Sequence, residues 1–553
     1  RQCVCLAADW TGYSNLCRIV SERQLNGTPH AGPFLGKDDS YSLAGSVAEH
    51  AEGLFVLTAT GPFLEELHGR LPLDRLYAER RADSPRSLET DCPSLSGRSG
   101  ENEGLPRATF ARPGDRHVLD VARRLGVPFD ATVNANYLRP ADRDTHAVLC
   151  AIGENRNLNE LRKGGKMLAG PRSYLQSREQ VAEGLDGVPE ALENTVRIAR
   201  ACRLELELGV PRFPRYDSLP EGETACSYLR KVAMDGARER YGGLNSRVRR
   251  RLDRELKVIR KLGFCHYFLV VWDIVGFAQR EDIPHVGRGS AANSIVSYCL
   301  GISHVDPLKF DLYFERFLNE HRTDVPDIDM DFCWRRRDEV LDYIYDRYAP
   351  GQVAMVSTHS TLKARSAFRD VARVMGLPME EIDRYSSMLP HHNVSTIEEA
   401  METFPEMADF PLRQEPWNRV LEHALRIDGY VRHLGIHLGG LVIAPDADRG
   451  LTEFTALEDS TKGIVVTQYE MDAIEEVGLV KIDLLGQRSL TIVAEAGRAV
   501  EENRGVKLDL DSLPDNDPRT ARLLRSGRTM GCFQIESPGM RQLLQMLRAE
   551  NIM

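Results

Sequence analysis

Apolar and polar residues alternate along residues 326–332 (PDIDMDF), and this period of two predicts a β-strand. Asp327, Asp329 and Asp331 would share one face of the strand, while the apolar residues would pack on a core from the other face. Same-face neighbours in a strand lie roughly 6.5 Å apart. That spacing suits two neighbouring carboxylates converging on a pair of divalent ions about 3.5–4 Å apart.

The acidic strand has two other interpretations. A solvated acidic face fits the pattern equally well if the strand is considered alone. An EF-hand calcium loop does not fit, because counting from Asp327 places Phe332 at the position that requires glycine. Asp338 stands where the loop requires glutamate. The acidic strand therefore depends on its neighbours in the sequence for a functional interpretation.

A glycine-rich loop precedes the acidic strand. Residues 284–286 predict a short strand that leads into Gly287-Arg288-Gly289-Ser290, and residues 291–300 have the apolar spacing of a helix. Backbone N–H groups and a helix N-terminus could bind an anion there, although the loop lacks the Gly-Lys-Ser/Thr ending of a Walker A motif. A plain turn remains the alternative. A Gly-Ser loop, a helix and an Asp-x-Asp strand, in this order, are typical of a nucleotidyltransferase palm.

Two arginines lie between the loop and the acidic strand. Arg316 and Arg322 could bind triphosphate oxygens in a bidentate manner. The alternative is ordinary surface pairing with Glu315 or Glu320.

Composition restricts the class of protein. The 553 residues are enough for about three or four domains, and 42% hydrophobic and 28% charged residues are ordinary for a soluble globular protein. No apolar run approaches the ~20 residues of a membrane helix, so we expect a cytoplasmic protein with no membrane partner. The 11 cysteines show no CxxC pair and are predicted to be buried thiols rather than a zinc site or a disulfide framework. The net charge of −11 gives no global nucleic-acid signature, although residues 247–261 are strongly basic.

Three motifs carry a resemblance to a known family. Residues 287–294 (GRGSAANS), 314–317 (FERF) and 326–332 together resemble the catalytic alpha subunit of bacterial DNA polymerase III, the family C DNA polymerases. The AANS sequence, and Arg432-His433-Leu434 before His437, are most similar to the error-prone, damage-tolerance branch. The chain covers only the middle of the family's architecture, so we expect a fragment that lacks both termini.

The resemblance implies a set of site residues. A third catalytic aspartate of the family, preceded two residues earlier by a lysine, matches Asp483 and Lys481, which a strand would place on one face. Asp327, Asp329 and Asp483 are then the catalytic, metal-binding triad for two Mg²⁺ ions, with Asp331 in a supporting position. The implied nucleotide-binding residues are Arg288, Gly289, Ser290, Arg316, Arg322 and Lys481, and the implied DNA contacts are Lys363, Arg365 and Arg369.

The resemblance also implies an α+β multidomain fold. It combines a partial PHP-like α/β domain (polymerase and histidinol phosphatase), a polymerase-beta-like nucleotidyltransferase palm, a helical thumb and the start of the fingers. The expected boundaries are 1–203 for the PHP domain with a disordered insertion at about 79–116, 204–357 and 436–488 for the palm, 358–435 for the thumb and 489–553 for the truncated fingers.

The PHP-like region departs from the family's metal-binding pattern. Where the family often shows Asn-Asp-x-His before a tyrosine, residues 133–137 read VNANY. Asn134 and Asn136 carry no charge and no imidazole, so a metal cluster and a phosphoesterase activity are not expected, and His146 is predicted to be structural. His437 is also predicted to be structural.

The expected function is template-directed DNA synthesis on primer–template DNA with deoxynucleoside triphosphates, in replication or repair. The resemblance further implies a sliding clamp and other replisome or damage-tolerance subunits as partners of the full-length protein. A non-catalytic DNA-binding or scaffold fragment is the first alternative. A metal-dependent phosphoesterase of the N-terminal region is the second.

Overall fold

The computed structural model describes residues 2–26, 41–81, 113–164, 169–185, 188–319, 326, 328–348, 351–389, 410–446, 448–460, 462–510, 513–514 and 516–551. Its contacts separate two compact units. Unit 1 comprises Arg1–Leu208, Val356–His437 and Leu451–Val477. Unit 2 comprises Gly209–Met355, Leu438–Gly450 and Gly478–Met553. The division into PHP, palm, thumb and fingers stays a prediction.

The helices of the described chain are α1 (Trp10–Leu25), α2 (Leu43–Glu49), α3 (Gly61–Leu67), α4 (Pro113–Leu125), α5 (Arg143–Gly153), α6 (Leu158–Gly164), α7 (Arg178–Gly184), α8 (Glu190–Ala201), α9 (Ala225–Tyr241), α10 (Ser246–Lys261), α11 (Cys265–Arg280), α12 (Ile295–Cys299), α13 (Arg337–Arg347), α14 (Ala364–Val374), α15 (Met379–Met388), α16 (Trp417–Arg426), α17 (Met471–Glu476), α18 (Arg488–Arg504), α19 (Pro518–Ser526) and α20 (Pro538–Leu547). The strands are β1 (Val4–Ala7), β2 (Leu54–Thr58), β3 (Leu76–Arg81), β4 (Phe129–Thr132), β5 (His285–Gly287), β6 (Met330–Cys333), β7 (Val353–Thr361), β8 (Val431–Ile443), β9 (Leu457–Asp459), β10 (Val465–Glu470) and β11 (Lys481–Gln487).

Unit 1 contains a four-stranded sheet in the order β1-β2-β3-β4. β1 runs antiparallel to β2, whereas the β2–β3 and β3–β4 pairs are parallel. All five residues of β2 are buried, which is expected of a strand covered by helices on both faces. α3 and α4 supply part of that cover through Phe63, Leu64 and Val121, which belong to one apolar cluster with β2.

A second apolar cluster of unit 1 is helical. α14, α15 and α16 bury Phe368, Ile382 and Trp417 together with Val148 and Ile152 of α5. The rings of Phe368 and Trp417 are stacked with centroids 5.5 Å apart. The described helices of the segment predicted as the thumb thus pack against α5 within unit 1.

In unit 2 the strands β5, β6 and β11 lie side by side in this order, and β11 pairs on its other edge with the part of β8 that belongs to unit 2, residues 438–443. β5 is antiparallel to β6, β6 is parallel to β11, and β11 is antiparallel to β8. The apolar helix predicted near Tyr267 is α11, whose residues 267–271 are all completely buried. α10 matches the predicted basic helix, with an apolar stripe that faces the core and arginines on its exposed side.

The structure corrects three expectations. The predicted insertion at 79–116 is too wide, because β3 extends to Arg81 and α4 begins at Pro113; the remainder lies outside the described residues. The acidic strand begins only at Met330. The cysteines are not all thiols, since Cys226 and Cys265, whose Cα atoms lie 5.2 Å apart at the starts of α9 and α11, form a disulfide.

Within the described ranges no single helix is long and apolar enough to cross a membrane, although α10 and α11, which bend by 116° at their junction, together meet the length and composition requirement.

Candidate active site

The predicted alternation of the acidic strand is present in unit 2. Ile328, Met330 and Phe332 are completely buried, as the apolar side of the pattern requires. On the other side, the Asp329 side chain is 26% exposed and that of Asp331 is 9% exposed. Asp327 lies outside the described residues.

β11 brings the third predicted aspartate to this strand. Met330 pairs with Leu484 in the parallel β6–β11 ladder. Asp329 and Asp483 each precede one of these residues, so their backbones lie side by side, about 4.8 Å apart as neighbouring strands do. Lys481 Nζ lies 2.9 Å from Asp483 Oδ2, and both side chains are mostly buried. The structure thus brings Asp329 together with Asp483 and Lys481, which lie more than 150 positions further along the chain.

Arg288 joins the two aspartates of the acidic strand. Its Nε lies 3.6 Å from Asp329 Oδ2 and 3.6 Å from Asp331 Oδ1. The antiparallel pairing of β5 with β6 fixes this position, because Gly287 pairs with Met330 and the Arg288 N–H donates to the Asp329 carbonyl oxygen at 3.1 Å. Two cations, Arg288 and Lys481, therefore stand among three carboxylates.

The glycines of the loop have two different physical roles. A Cβ at Gly287 would lie 2.3 Å from the Ile302 carbonyl oxygen, so only glycine fits in that space. Gly289 has a φ of +69° and open space around it, so glycine is favoured there by backbone conformation alone. A 3-10 turn, Gly289–Asn293, follows and contains Ser290.

The expected helix N-terminus for an anion is not available to a ligand. The predicted helix 291–300 is only the five-residue α12, and its first turn binds a carboxylate of the protein itself. Glu255 Oε2 accepts hydrogen bonds from Ser294 Oγ at 2.7 Å and from the Val296 N–H at 3.3 Å. A phosphate group would therefore have to bind at the Arg288–Ser290 segment, where the 3-10 turn begins.

Burial affects the protonation of the site. It raises the pKa of the Asp331 carboxyl, whereas Arg288 and a hydrogen bond from Gln487 act in the opposite direction. Carboxylate oxygens are the ligands that Mg²⁺ prefers, and Asp329 and Asp483 present them from adjacent strands. The donor set therefore fits divalent ions, although among the described residues no group of three or more histidine, cysteine, aspartate or glutamate side chains has the geometry of a metal site.

The remaining predicted nucleotide and DNA contacts lie at separate places. Arg316 is exposed in the 3-10 turn Phe314–Arg316, and the Glu315 beside it pairs with Arg254 rather than with Arg316. Arg322 lies outside the described residues. The predicted contacts of Arg316 and Arg322 with a triphosphate therefore stay predictions.

The predicted DNA-binding residues of unit 1 belong to α14 and its N-cap. Lys363 is exposed at the N-cap. Arg365 donates to the Ser387 and Leu389 carbonyl oxygens at 3.0 and 3.1 Å, and Arg369 pairs with Asp383 of α15. Both arginines thus connect α14 to α15 and its C-terminal end in this structure.

Asn134 and Asn136, which the sequence places in a predicted PHP-like domain, lie in a polar turn of unit 1. Asn134 adopts a positive φ of 44°, and Asn136 Nδ2 donates to its carbonyl oxygen at 2.7 Å. His146 packs against the Tyr137 ring, and burial lowers its pKa.

Three residues near the site were not predicted from the sequence. Arg251 and Glu255 of α10 contact Asn293 and Ser294 at the end of the 3-10 turn. Arg337 donates to the carbonyl oxygens of Leu484 and Leu438 at 2.9 and 3.0 Å. A signal for Glu255 was present, because it falls on the apolar stripe of α10. An acidic residue at such a position requires a buried partner, and Arg251 stands four residues before it.

Two family models that match this chain describe parts of the same bacterial protein family. Residues 227–486 match the model of the bacterial DNA polymerase III alpha NTPase domain, and residues 489–553 match that of the bacterial DNA polymerase III alpha subunit finger domain. Together the two models cover more than half of the chain.

Individual relatives agree with the family models. The chain is 38% identical to the DNA polymerase III subunit alpha of Bacillus subtilis, over 79% of this chain and 38% of the relative. It is 34% identical to the error-prone DNA polymerase of Symbiobacterium thermophilum, over 99% of this chain and 49% of the relative. The DNA polymerase III subunit alpha of Thermus aquaticus is 33% identical, with 99% and 48% coverage. The chain thus spans about half the length of these relatives or less.

Proposed function

The chain belongs to the family of bacterial DNA polymerase III alpha subunits, and on that basis we propose that unit 2 carries the residues for template-directed DNA synthesis. The proposed substrates are primer–template DNA and deoxynucleoside triphosphates. The observation that supports this most strongly is the parallel β6–β11 pairing, which sets Asp329 beside Asp483 with Lys481 within 2.9 Å of the latter. A non-catalytic scaffold would not require this arrangement.

Asp327, Asp329 and Asp483 are the proposed ligands of two Mg²⁺ ions. Bound there, the ions would supply activation of the primer 3′-hydroxyl and neutralisation of the leaving pyrophosphate. Asp483 holds the Lys481 ammonium, and Asp329 and Asp331 hold the Arg288 guanidinium, so both cations are ordered near the place where triphosphate charge would arrive. Gly289 and Ser290 would contribute the loop backbone and a hydroxyl.

The triphosphate would also be contacted by Arg316 and Arg322, and the duplex by Lys363, Arg365 and Arg369. Phosphate contacts of the last three would position the duplex without reading its sequence. The finer domain division, the partial PHP fold, the sliding clamp and other replication partners, and a cytoplasmic location are parts of the same proposal for the longer protein.

Primer extension on a gapped DNA template tests the proposal. The chain with Mg²⁺ should add nucleotides, and Asp329→Asn should abolish the addition while leaving the far-UV circular dichroism spectrum unchanged. Asp342→Asn is the matched control, because this aspartate is exposed on α13, outside the candidate site. Equal extension by wild type and Asp329→Asn would refute the assignment of the palm chemistry.

A further inference from the structure

Glu255 is a completely buried carboxylate on α10 that contacts the start of α12, just after the 3-10 turn that follows the glycine loop. Its Oε1 accepts from Arg251 Nε at 2.5 Å, and its Oε2 accepts from Ser294 and the Val296 N–H. Burial raises the pKa of Glu255, while the hydrogen bonds from Arg251 and Ser294 oppose that shift. The carboxylate thus joins α10 to the end of the 3-10 turn that follows the loop.

Arg251 extends this connection to a second segment. Its Nη2 donates to the Asn293 carbonyl oxygen at 3.1 Å and to the Leu312 carbonyl oxygen at 2.9 Å. Asn293 ends the turn that contains Ser290, and Leu312 lies just before the 3-10 turn that contains Arg316. One guanidinium therefore holds two backbone segments that carry predicted triphosphate contacts.

We propose that Arg251 and Glu255 form a positioning pair that holds the segments 288–296 and 312–316 together as one triphosphate-binding surface. This inference rests on the proposed polymerase function and assigns a role to two residues that touch neither substrate nor metal. The pair acts through backbone: the arginine fixes two carbonyl oxygens, and the glutamate occupies the first turn of α12.

Stability alone does not account for this arrangement. Replacing a buried ion pair with apolar residues of similar volume is often neutral or stabilising. A core that needed only stability could therefore use two apolar residues at these positions of the α10 stripe. What apolar residues could not supply is the set of directed hydrogen bonds to Asn293, Leu312 and Val296.

The test compares three variants in primer extension with varied deoxynucleotide concentration. Arg251→Lys keeps the charge beside Glu255 but presents its N–H groups from a single nitrogen, so the Nε bond to Glu255 and the two Nη2 bonds cannot all be retained. The double variant Arg251→Met/Glu255→Leu removes both charges and avoids leaving one buried and unpaired. Arg249→Lys is the control, since Arg249 lies on the same helix with its side chain 67% exposed.

In Arg251→Lys we expect the KM for deoxynucleotide to rise about tenfold, because the loss of one charge-assisted hydrogen bond corresponds to a change of about this size. We expect kcat to change by less than about twofold. The double variant should melt at the wild-type temperature or above and still show the raised KM. Hydrogen exchange should become faster in both segments, 288–296 and 312–316. The control should match wild type in each measurement.

Three outcomes would overturn the proposal, and the first two are a wild-type KM in both Arg251 variants and faster exchange in only one of the segments. Restoration of KM by the double variant would also overturn it, because the role would then be one of stability. The proposed function is tested separately, by comparing primer extension by the wild type with primer extension by Asp329→Asn. If wild type does not extend a primer, that function fails for this chain, and the exchange rates of the two segments still decide whether the pair positions them.

Discussion

A single methyl group at Gly287 should disable the candidate site. The Cβ of an alanine there would lie 2.3 Å from the Ile302 carbonyl oxygen and 3.1 Å from its carbon, and both atoms belong to backbone that cannot rotate away. The same oxygen accepts the Gly287 N–H at 2.8 Å. Relief of the overlap therefore requires β5 to move by roughly 1 Å, and a displacement of that size near reacting groups can cost about 100-fold in rate.

A displacement of β5 would also move the groups around the carboxylates, because β5 pairs with the acidic strand β6. Gly287 pairs with Met330, and the next residue, Arg288, donates its N–H to Asp329 and places its guanidinium between Asp329 and Asp331. Gly287→Ala should therefore lower kcat/KM in primer extension by about 100-fold, while the circular dichroism spectrum shows a folded protein.

Gly289→Ala is the matched control for this prediction. The added methyl group meets no heavy atom within 4 Å, so the cost is confined to a left-handed backbone, about 1–2 kcal/mol. We expect at most about a 30-fold loss of kcat/KM, which is the change that about 2 kcal/mol produces. Wild-type kinetics for Gly287→Ala, or a larger loss for Gly289→Ala than for Gly287→Ala, would refute the steric reasoning.

Three further predictions concern carboxylates and a lysine. Asp331→Asn should retain measurable primer extension, unlike Asp329→Asn. Because burial raises the pKa of Asp331, the substitution should also raise the melting temperature at pH 7. This gain should shrink as the pH falls and be absent below the ordinary pKa of 3.8. Burial raises the pKa of Asp130 to about 6, so ionisation of Asp130 destabilises the folded state fully above pH 6 and not at all below pH 3.8. Asp130→Asn should therefore stabilise unit 1 by about 3 kcal/mol at neutral pH. A calorimetric gain in stability that did not vary with pH would contradict this. Lys481→Met should raise the KM for deoxynucleotide in primer extension, and an unchanged KM would exclude a triphosphate contact by this lysine.

The elements that the sequence predicted well depend on short-range periodicity. The burial of Ile328, Met330 and Phe332 was predictable because these residues alternate with the aspartates along a short stretch of chain. α10 and α11 follow from the helical spacing of their apolar residues in the same way. The helix predicted over 291–300 was right only for Ile295–Cys299, because residues 291–293 belong to the 3-10 turn and Ser294, which donates to Glu255, caps the short helix.

The site itself required information that no local pattern contains. Asp329 and Asp483 are more than 150 positions apart, and only the pairing of β6 with β11 makes them neighbours. The resemblance to a family supplied Asp483, whereas periodicity only placed it on the same face as Lys481. Arg251 gave no signal of its two carbonyl contacts, since Asn293 and Leu312 lie 42 and 61 positions further along the chain.

The cations of the site are ordered before any substrate arrives, and this affects how a triphosphate would bind. Immobilising a flexible side chain on binding costs about 0.5–1.5 kcal/mol. Arg288 is already held by Asp329 and Asp331, and Lys481 by Asp483, so much of that cost is met within the folded protein. The carboxylates of this site thus have a second role beside metal binding, because they orient the positive charges that a triphosphate would meet. Since Asp331 shares Arg288 with Asp329 but lies outside the proposed triad, its contribution to nucleotide binding should be mainly this orientation.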